Sequence, residues 1–313
     1  MEFVHQPVLL EECLDGLRLH PGGVYVDGTL GGAGHSIESV KRILPGGRLI
    51  GIDQDLEAIG ASQKRLEPFS THVTIVHDNF VNLKQVLLEL ETTGVDGILL
   101  DIGVSSHQLD EGERGFTYMK EDAPLDMRMD RTSALTAKEI VNTYSFEQLK
   151  GILKDYGEER WADRIAKFIL AEREAKEITT TGEVVEIIKR AIPAAARREG
   201  GHPAKRTFQA LRVAVNDELG VLKRVIDDAV EMLNPGGRLC IITFQSLEDR
   251  IVKEAFRRME HPCTCPPKLP VCICGKKPLG RAVTRKPITA SEAELRKNSR
   301  SKSAKLRVFE VNS

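Results

Sequence analysis

The sequence predicts an α/β protein, an open and largely parallel sheet interrupted by an all-helical insertion. Three observations predict it. Short β-type runs alternate with helix-spaced segments over the first third of the chain; three of those runs end in aspartate; and strand signals vanish from Asp110 to Lys205 before resuming. Alternation of strand and helix implies right-handed crossovers between parallel neighbours.

Val24-Tyr25-Val26 is the first strand, ending in Asp27 and a glycine loop, and His35 to Ile43 has the apolar spacing of a helix. After the Pro45-Gly46-Gly47 turn, Arg48 to Ile52 forms a second strand ending in Asp53, followed by a helix from Leu56 to Leu66. Val73 to Val76 is a third strand, Leu83 to Leu90 a helix, and Gly97 to Leu100 a fourth strand ending in Asp101. Thr136 with Glu139, Ser145 with Gln148 and Thr180 with Glu183 match the capping box, in which a hydroxyl and an acidic or amide side chain satisfy free amides at a helix start. These mark the helical insertion. The α/β signal returns with a helix from Thr207 to Leu233, a turn at Asn234-Pro235-Gly236-Gly237, a strand from Arg238 to Phe244 and a helix from Leu247 to Met259. Lys305 to Val311 alternates as a final edge strand. The expected organisation is thus residues 1–109 and 206–313 in one α/β domain, with 110–205 inserted for substrate recognition.

The chain has 313 residues, is 41% hydrophobic and 29% charged, and so suits a globular protein rather than a disordered one. No apolar run approaches the roughly 20 residues that span a bilayer, and the N-terminus does not read as a signal peptide, so a cytoplasmic protein without a membrane partner is expected. Net charge is −1, but Gly275 to Arg307 holds eleven Lys or Arg against Glu292 and Glu294, a local +9. Such a segment suits a polyanion, or is a solvated surface. Oligomeric state is not legible; a homodimer is retained as a candidate assembly.

Asp27-Gly28-Thr29-Leu30-Gly31-Gly32-Ala33-Gly34-His35 follows the first strand and opens a helix, where open α/β sheets bind ligands. Asp53 ends the second strand, where an acidic side chain accepts hydrogen bonds from ribose hydroxyls. A dinucleotide site needs Gly-x-Gly-x-x-Gly; counted from Gly32, the third glycine position is Ile37. The failed fingerprint favours S-adenosylmethionine over a nicotinamide cofactor, and a tight turn without ligand is the bland alternative.

Longer blocks are more specific. They are Asp101-Ile102-Gly103-Val104-Ser105-Ser106, Gln108-Leu109-Asp110, Glu113-Arg114-Gly115-Phe116 and Pro124 to Asp130. Tyr156-Gly157-Glu158-Glu159, Arg206 to Ala210 and Ser246-Leu247-Glu248-Asp249-Arg250 continue the series. From about His5 to Arg307 the chain closely resembles the ribosomal RNA small subunit methyltransferase H family, known also as MraW. The resemblance implies a Rossmann-like class I methyltransferase sheet with a helical insertion. It also implies S-adenosylmethionine-dependent methylation of the exocyclic N4 of one cytidine in the decoding region of 16S rRNA, in the small ribosomal subunit. The family's cofactor contacts fall by motif position on Ala33, Gly34, His35, Asp53, Phe80, Asp101 and Gln108. Two positions depart from the family pattern. Gln245 stands where the family usually has His, and Asn298-Ser299-Arg300-Ser301-Lys302-Ser303 replaces the usual Asn-Pro-Arg-Ala-Arg-Ser.

Methylating an amine whose lone pair is delocalised requires alignment with the methyl group and an acceptor for the departing proton. Asp101 is the expected catalytic residue, with the loop to Ser106 supplying acceptors; the alternative is that Asp101 only binds cofactor. Arg114, Arg128, Lys205, Arg206, Arg300 and Lys302 are candidate phosphate contacts, although Arg128 and Arg206 also have acidic neighbours to pair with. Competing functions are a methyltransferase for another RNA, a protein or a small molecule, and a non-catalytic RNA-binding module. Four of the six cysteines, Cys263, Cys265, Cys272 and Cys274, could offer thiolates to zinc. Their Cys-x-Cys spacing is tighter than the usual knuckle and three prolines separate the pairs, so no metal is assigned.

Overall fold

The structure, a computed structural model, describes residues 7–104, 112–197, 201–266 and 271–313. By packing, the chain divides into two units, one from Met1–Gly103 with Leu219–Ser313, the other Val104–Glu218.

The first unit is built on a sheet of seven strands: β1 (Val24–Asp27), β2 (Arg48–Asp53), β3 (Val73–His77), β4 (Val95–Asp101), β5 (Leu233–Thr243), β6 (Gly280–Ala282) and β7 (Lys305–Val311). Their spatial order is β3-β2-β1-β4-β5-β7-β6. The first five run parallel, and β7 lies antiparallel between β5 and β6. This is an open, mostly parallel α/β sheet of the Rossmann-like kind that the sequence predicts. Helices α1 (Leu10–Leu17), α2 (Gly34–Ile43), α3 (Leu56–Leu66) and α4 (Leu83–Glu89) belong to its first half.

Strand side chains alternate between two faces, and both are covered. On one, Tyr25, Leu49, Leu99, Ile242 and Val308 pack with Cys13 and Leu17 of α1 and Val40 and Ile43 of α2. On the other, Val26, Ile50, Ile98, Leu100, Ile241 and Phe309 pack with Val86 and Leu87 of α4 and with helices from the chain's last third. Apolar burial on both faces explains why these strands read as continuous hydrophobic runs.

The second unit contains α5 (Ala137–Thr143), α6 (Phe146–Asp155), α7 (Ala162–Ala175), α8 (Thr181–Ala191), the single turn α9 (Ala194–Arg197) and α10 (Lys205–Asn216). All three sequence-predicted capping boxes form, at Thr136, Ser145 and Thr180. Ile140, Leu149, Ile165, Ile169, Val184 and Ile188 meet in its core. The boundary differs from the sequence expectation, which ended the insertion at residue 205. Phe208, Leu211 and Val215 of α10 are buried in this same core, so the unit runs on to Glu218.

Three other expectations are corrected. The helix expected from Thr207 to Leu233 is two: α10 stops at Asp217, which adopts the left-handed conformation (φ 47°), and α11 (Glu218–Glu231) follows. Arg212 holds that break through a two-point contact with Glu218, 2.7 and 2.9 Å. The Asn234–Gly237 turn is absorbed into β5 as a bulge, with Gly236 at φ 77° and the register shifting opposite Val95 and Gly97. Finally, β7 is not the edge of the sheet. β6, only Gly280-Arg281-Ala282, covers it, and three residues without alternation give no strand signal. Among the described residues, the other α-helices are α12 (Ser246–Glu260) and α13 (Glu292–Lys297). Among the described residues no helix is long and apolar enough to cross a membrane.

Candidate functional site

Asp53, Asp27 and Asp101 end three adjacent strands, β2, β1 and β4, on the sheet's carboxyl edge. Loop Gly28 to Ala33 connects them through its backbone. Gly28 N–H donates to the Leu99 carbonyl (2.9 Å) and Leu30 N–H to the Ile52 carbonyl (3.0 Å). Gly31 N–H donates to Asp53 Oδ2 (2.7 Å), and Asp55 N–H to Asp53 Oδ1 (2.9 Å). Thr29 Oγ1 accepts from the Asp101 amide at 2.7 Å, joining the ends of β1 and β4. Ser62 Oγ donates to the Gly31 carbonyl (2.5 Å), and Arg65 donates to that of Gly32.

Glycine is required at two places here. Gly31 has φ 49°, the left-handed region. At Gly28 a Cβ would lie 2.5 Å from a Leu100 methyl and 3.5 Å from Phe80 Cβ, so the main chain passes close beneath Phe80. Ala33 also has positive φ, 57°, although it carries a Cβ. Backbone strain of this kind, of order 1–3 kcal/mol, concentrates at ligand sites. Ala33 precedes α2, whose N-terminus has no side-chain cap. Its positive dipole end and first-turn amides suit a carboxylate.

Asp27 is buried; Ser36 Oγ donates to its Oδ2 at 2.6 Å and Thr29 N–H to its Oδ1 at 3.2 Å. Burial pushes its carboxyl upward, opposed by His35 and these donors. Asp53 is pushed up to about 6 by burial, which outweighs the donations from Asp55 and Gly31. Asp101 is likewise pushed up to about 6, by burial first, with His35 opposing and the Asp27 charge adding. Among the described residues, the buried Asp101 Oδ1 has no hydrogen-bond partner, whereas Gln245, just beyond the end of neighbouring strand β5, forms a capping box with Glu248 at the start of the following helix. A buried acceptor without a donor is costly, so Asp101 Oδ1 is a place where a ligand's N–H or O–H would be stabilised.

A model of the MraW methylase family matches residues 2–312.

The chain belongs to that family.

Over 312 residues, 100% of this chain and 99% of the relative, it is 61% identical to ribosomal RNA small subunit methyltransferase H 2 of Agathobacter rectalis. Over 307 residues, 98% and 96% of the two chains, it is 59% identical to ribosomal RNA small subunit methyltransferase H of Symbiobacterium thermophilum. It is 56% identical over 310 residues, 99% of each chain, to the protein of that name from Clostridioides difficile.

As an MraW-family methylase the protein is a methyltransferase, with S-adenosylmethionine as its methyl donor. The strand-end residues fit that molecule. Asp53 can accept from ribose hydroxyls, the uncapped start of α2 matches the amino-acid carboxylate, and Phe80 covers the loop. Six of the seven sequence-predicted contacts, Ala33, Gly34, His35, Asp53, Phe80 and Asp101, fall on or beside this edge. Gln108 lies outside the described residues, as do Ser105 and Ser106. His35 Nε2 bonds the Val8 carbonyl (2.9 Å), so the ring also anchors the segment before α1. The sequence marks Asp27 only as the start of the loop; its burial beneath Ser36 leaves no sequence signal.

The candidate phosphate contacts separate. Arg114 is buried and donates to the carbonyls of Arg128 and Met129, 3.1 and 3.0 Å. Arg128 grips Asp126 through two 2.8 Å bonds, holding that carboxyl below its usual range against the upward push of burial. These two serve the fold of the second unit. Arg206 donates to the Glu158 carbonyl (3.1 Å) yet is exposed, as are Lys205, Arg300 and Lys302. Within the basic segment, Arg281 pairs with Glu310, and Lys305 and Arg307 pair with Asp249, so part of its +9 is neutralised by carboxylates outside the segment.

A pH dependence follows from Asp53. With Asp53 as the acceptor for ribose hydroxyls, the carboxylate that would accept them is lost as pH falls through about 6. Affinity for S-adenosylhomocysteine, measured by calorimetry, is expected to weaken several-fold from about pH 8 to about pH 5, and Asp53→Asn to flatten the profile. An unchanged affinity across that window in the unsubstituted protein would refute the assignment.

Proposed function

We propose that the protein methylates the exocyclic N4 of a specific cytidine in the decoding region of 16S rRNA, within the small ribosomal subunit and in the cytoplasm. The observation that carries the chemistry is the buried, unpartnered Asp101 Oδ1 at the end of β4. The rRNA assignment draws on the names of the full-length relatives.

S-adenosylmethionine supplies a methyl group already activated on a positively charged sulfur. The chain's residues then have three tasks. Asp53 and the start of α2 fix the donor's two ends, which sets the position of its methyl group. Asp101 accepts a hydrogen bond from the cytosine amine and turns the nitrogen lone pair toward that methyl. After transfer the nitrogen must lose a proton, and the same carboxylate receives it. The helical unit and the exposed cations Lys205, Arg206, Arg300 and Lys302 hold the RNA backbone, and the target base is splayed out of its stack.

Incubation with labelled methyl donor and unmethylated small subunits, followed by nucleoside mass spectrometry, is expected to place the label on one N4-methylcytidine of 16S rRNA. Label on another RNA, on protein or on a small molecule would replace the substrate while leaving the methyltransferase intact. No label in any 16S preparation, free or assembled, would remove the reading.

A further inference from the structure

The loop between α12 and β6 holds Cys263, Cys265, Cys272 and Cys274, which the reaction does not use. Their four sulfurs all lie within 4.8 Å of one another. Cys272 Sγ is 3.5 Å from that of Cys263, 3.8 Å from that of Cys265 and 3.4 Å from that of Cys274. Disulfide sulfurs are about 2.05 Å apart, so these are four free thiols. A tetrahedron of sulfurs at about 2.3 Å from a central zinc has edges of about 3.8 Å, close to these separations.

The backbone is arranged for thiolates as well. Ile273 N–H donates to Cys265 Sγ at 3.4 Å. The Cys274 amide lies toward Cys272 Sγ, and the amides of Thr264 and Lys276 toward Cys274 Sγ, each favouring the thiolate. Gly275, at φ 64°, turns the chain so that Lys276 N–H folds back onto the preceding cysteine. Among the described residues of this loop, no apolar side chain is buried. Val271 and Ile273 are 70% and 76% exposed, and no described residue from 261 to 279 is buried. Ordering such a segment costs about 1–2 kcal/mol per residue in backbone entropy, and apolar burial here does not offset it.

We propose that Cys263, Cys265, Cys272 and Cys274 bind one zinc ion as a tetrathiolate. Soft thiolates in tetrahedral array select zinc over hard cations. With all four positions filled by protein the site is structural, leaving no open position for substrate. Binding replaces four S–H bonds by four Zn–S bonds and releases four protons, so the site carries −2 beside Lys276 and Lys277. The ion cross-links the two arms of the loop and fixes where the chain enters β6, at the head of the basic segment.

Full-length protein purified under reductant without chelator is expected to hold about one zinc per chain by mass spectrometry, with the four thiols slow to react until an organomercurial releases the ion. Replacement by cobalt is expected to give sulfur-to-cobalt charge-transfer absorption and the visible bands of tetrahedral cobalt. Cys263→Ser with Cys272→Ser is expected to cut bound zinc by at least about tenfold and to open residues 262–279 to protease, at unchanged helix content. The cobalt spectrum is read on the unsubstituted chain and so does not depend on the variant folding. Metal-free protein whose four thiols react at once and that takes up neither zinc nor cobalt would overturn the proposal, as would a disulfide mapped between any two of the four in freshly purified protein.

Discussion

Asp101→Asn is expected to lower turnover by about 100- to 1000-fold, the range for removing a positioned proton acceptor, while S-adenosylhomocysteine affinity changes by less than about tenfold. Asparagine keeps the shape of the side chain, and the backbone amide at this position keeps its bond to Thr29 Oγ1. The substitution removes the charge and places a donor where the carboxylate offered only acceptors. An amine approaching the unpartnered Oδ1 then meets N–H against N–H in one amide orientation and a far weaker base in the other.

The pH profile separates this role from simple cofactor binding. Asp101 sits at about 6 because burial opposes its charge and Asp27 adds to the effect, with His35 acting the other way. Turnover of the unsubstituted enzyme at saturating donor should fall as pH drops through about 6, and the variant should lose that limb. Stability provides a control against misfolding. An aspartate whose folded value lies above its ordinary 3.8 holds a proton that the unfolded chain has released between about pH 4 and pH 6, so stability declines as pH rises through that window. An uncharged asparagine side chain bears no such cost, and the variant should be at least as heat-resistant as the parent at about pH 8. Near-normal turnover with unchanged cofactor affinity would exclude a catalytic role for Asp101.

Much of this edge is legible in the sequence because the signals there are local. A β-type run ending in aspartate, then a glycine-rich loop, needs no distant partner to be read, and β1 through β4 fall within two residues of expectation. The capping boxes are equally local, each closing over three residues. What escapes depends on tertiary context. Gly280-Arg281-Ala282 is a strand only because β7 is already there to pair with it. Asp217 ends α10 in a left-handed conformation usually signalled by glycine, and Arg212 with Glu218 stabilises the break from either side. Arg114 and Arg128 look like RNA contacts in a one-dimensional charge count, yet carbonyls and Asp126 engage them inside the second unit. The cysteine spacing argues against metal because it counts residues along the chain, whereas coordination depends on how the two arms fold together.

The Ser246–Arg250 block is a second case in which folding changes the reading, and it leads to the largest stability effect expected in the α/β unit. Asp249 and Arg307 face each other from α12 and β7. Arg307 Nε donates to Asp249 Oδ1 at 2.7 Å and Nη2 to Oδ2 at 3.3 Å, with Lys305 Nζ at 3.4 Å from Oδ2. Arg307 is 6% exposed. Phe309, two residues along the strand and so on the same face, packs on Phe256 at 5.1 Å between ring centres. The pair therefore lies at the polar end of an otherwise apolar helix–strand contact. Removing one partner strands the other charge in that interior, which costs about 3–5 kcal/mol. Asp249→Ala is expected to lose that much in urea denaturation, while Asp249→Leu combined with Arg307→Met recovers most of it, because matched apolar side chains leave no buried charge. The pair also has a pH signature. Burial pushes Asp249 up, but Arg307 and Lys305 prevail and hold it below 3.8, so its contribution is present above that value and lost as pH falls further. A single-variant loss under about 1 kcal/mol, or a double variant no more stable than Asp249→Ala, would show that the pair is surface decoration and not the clasp between the last strand and its helix.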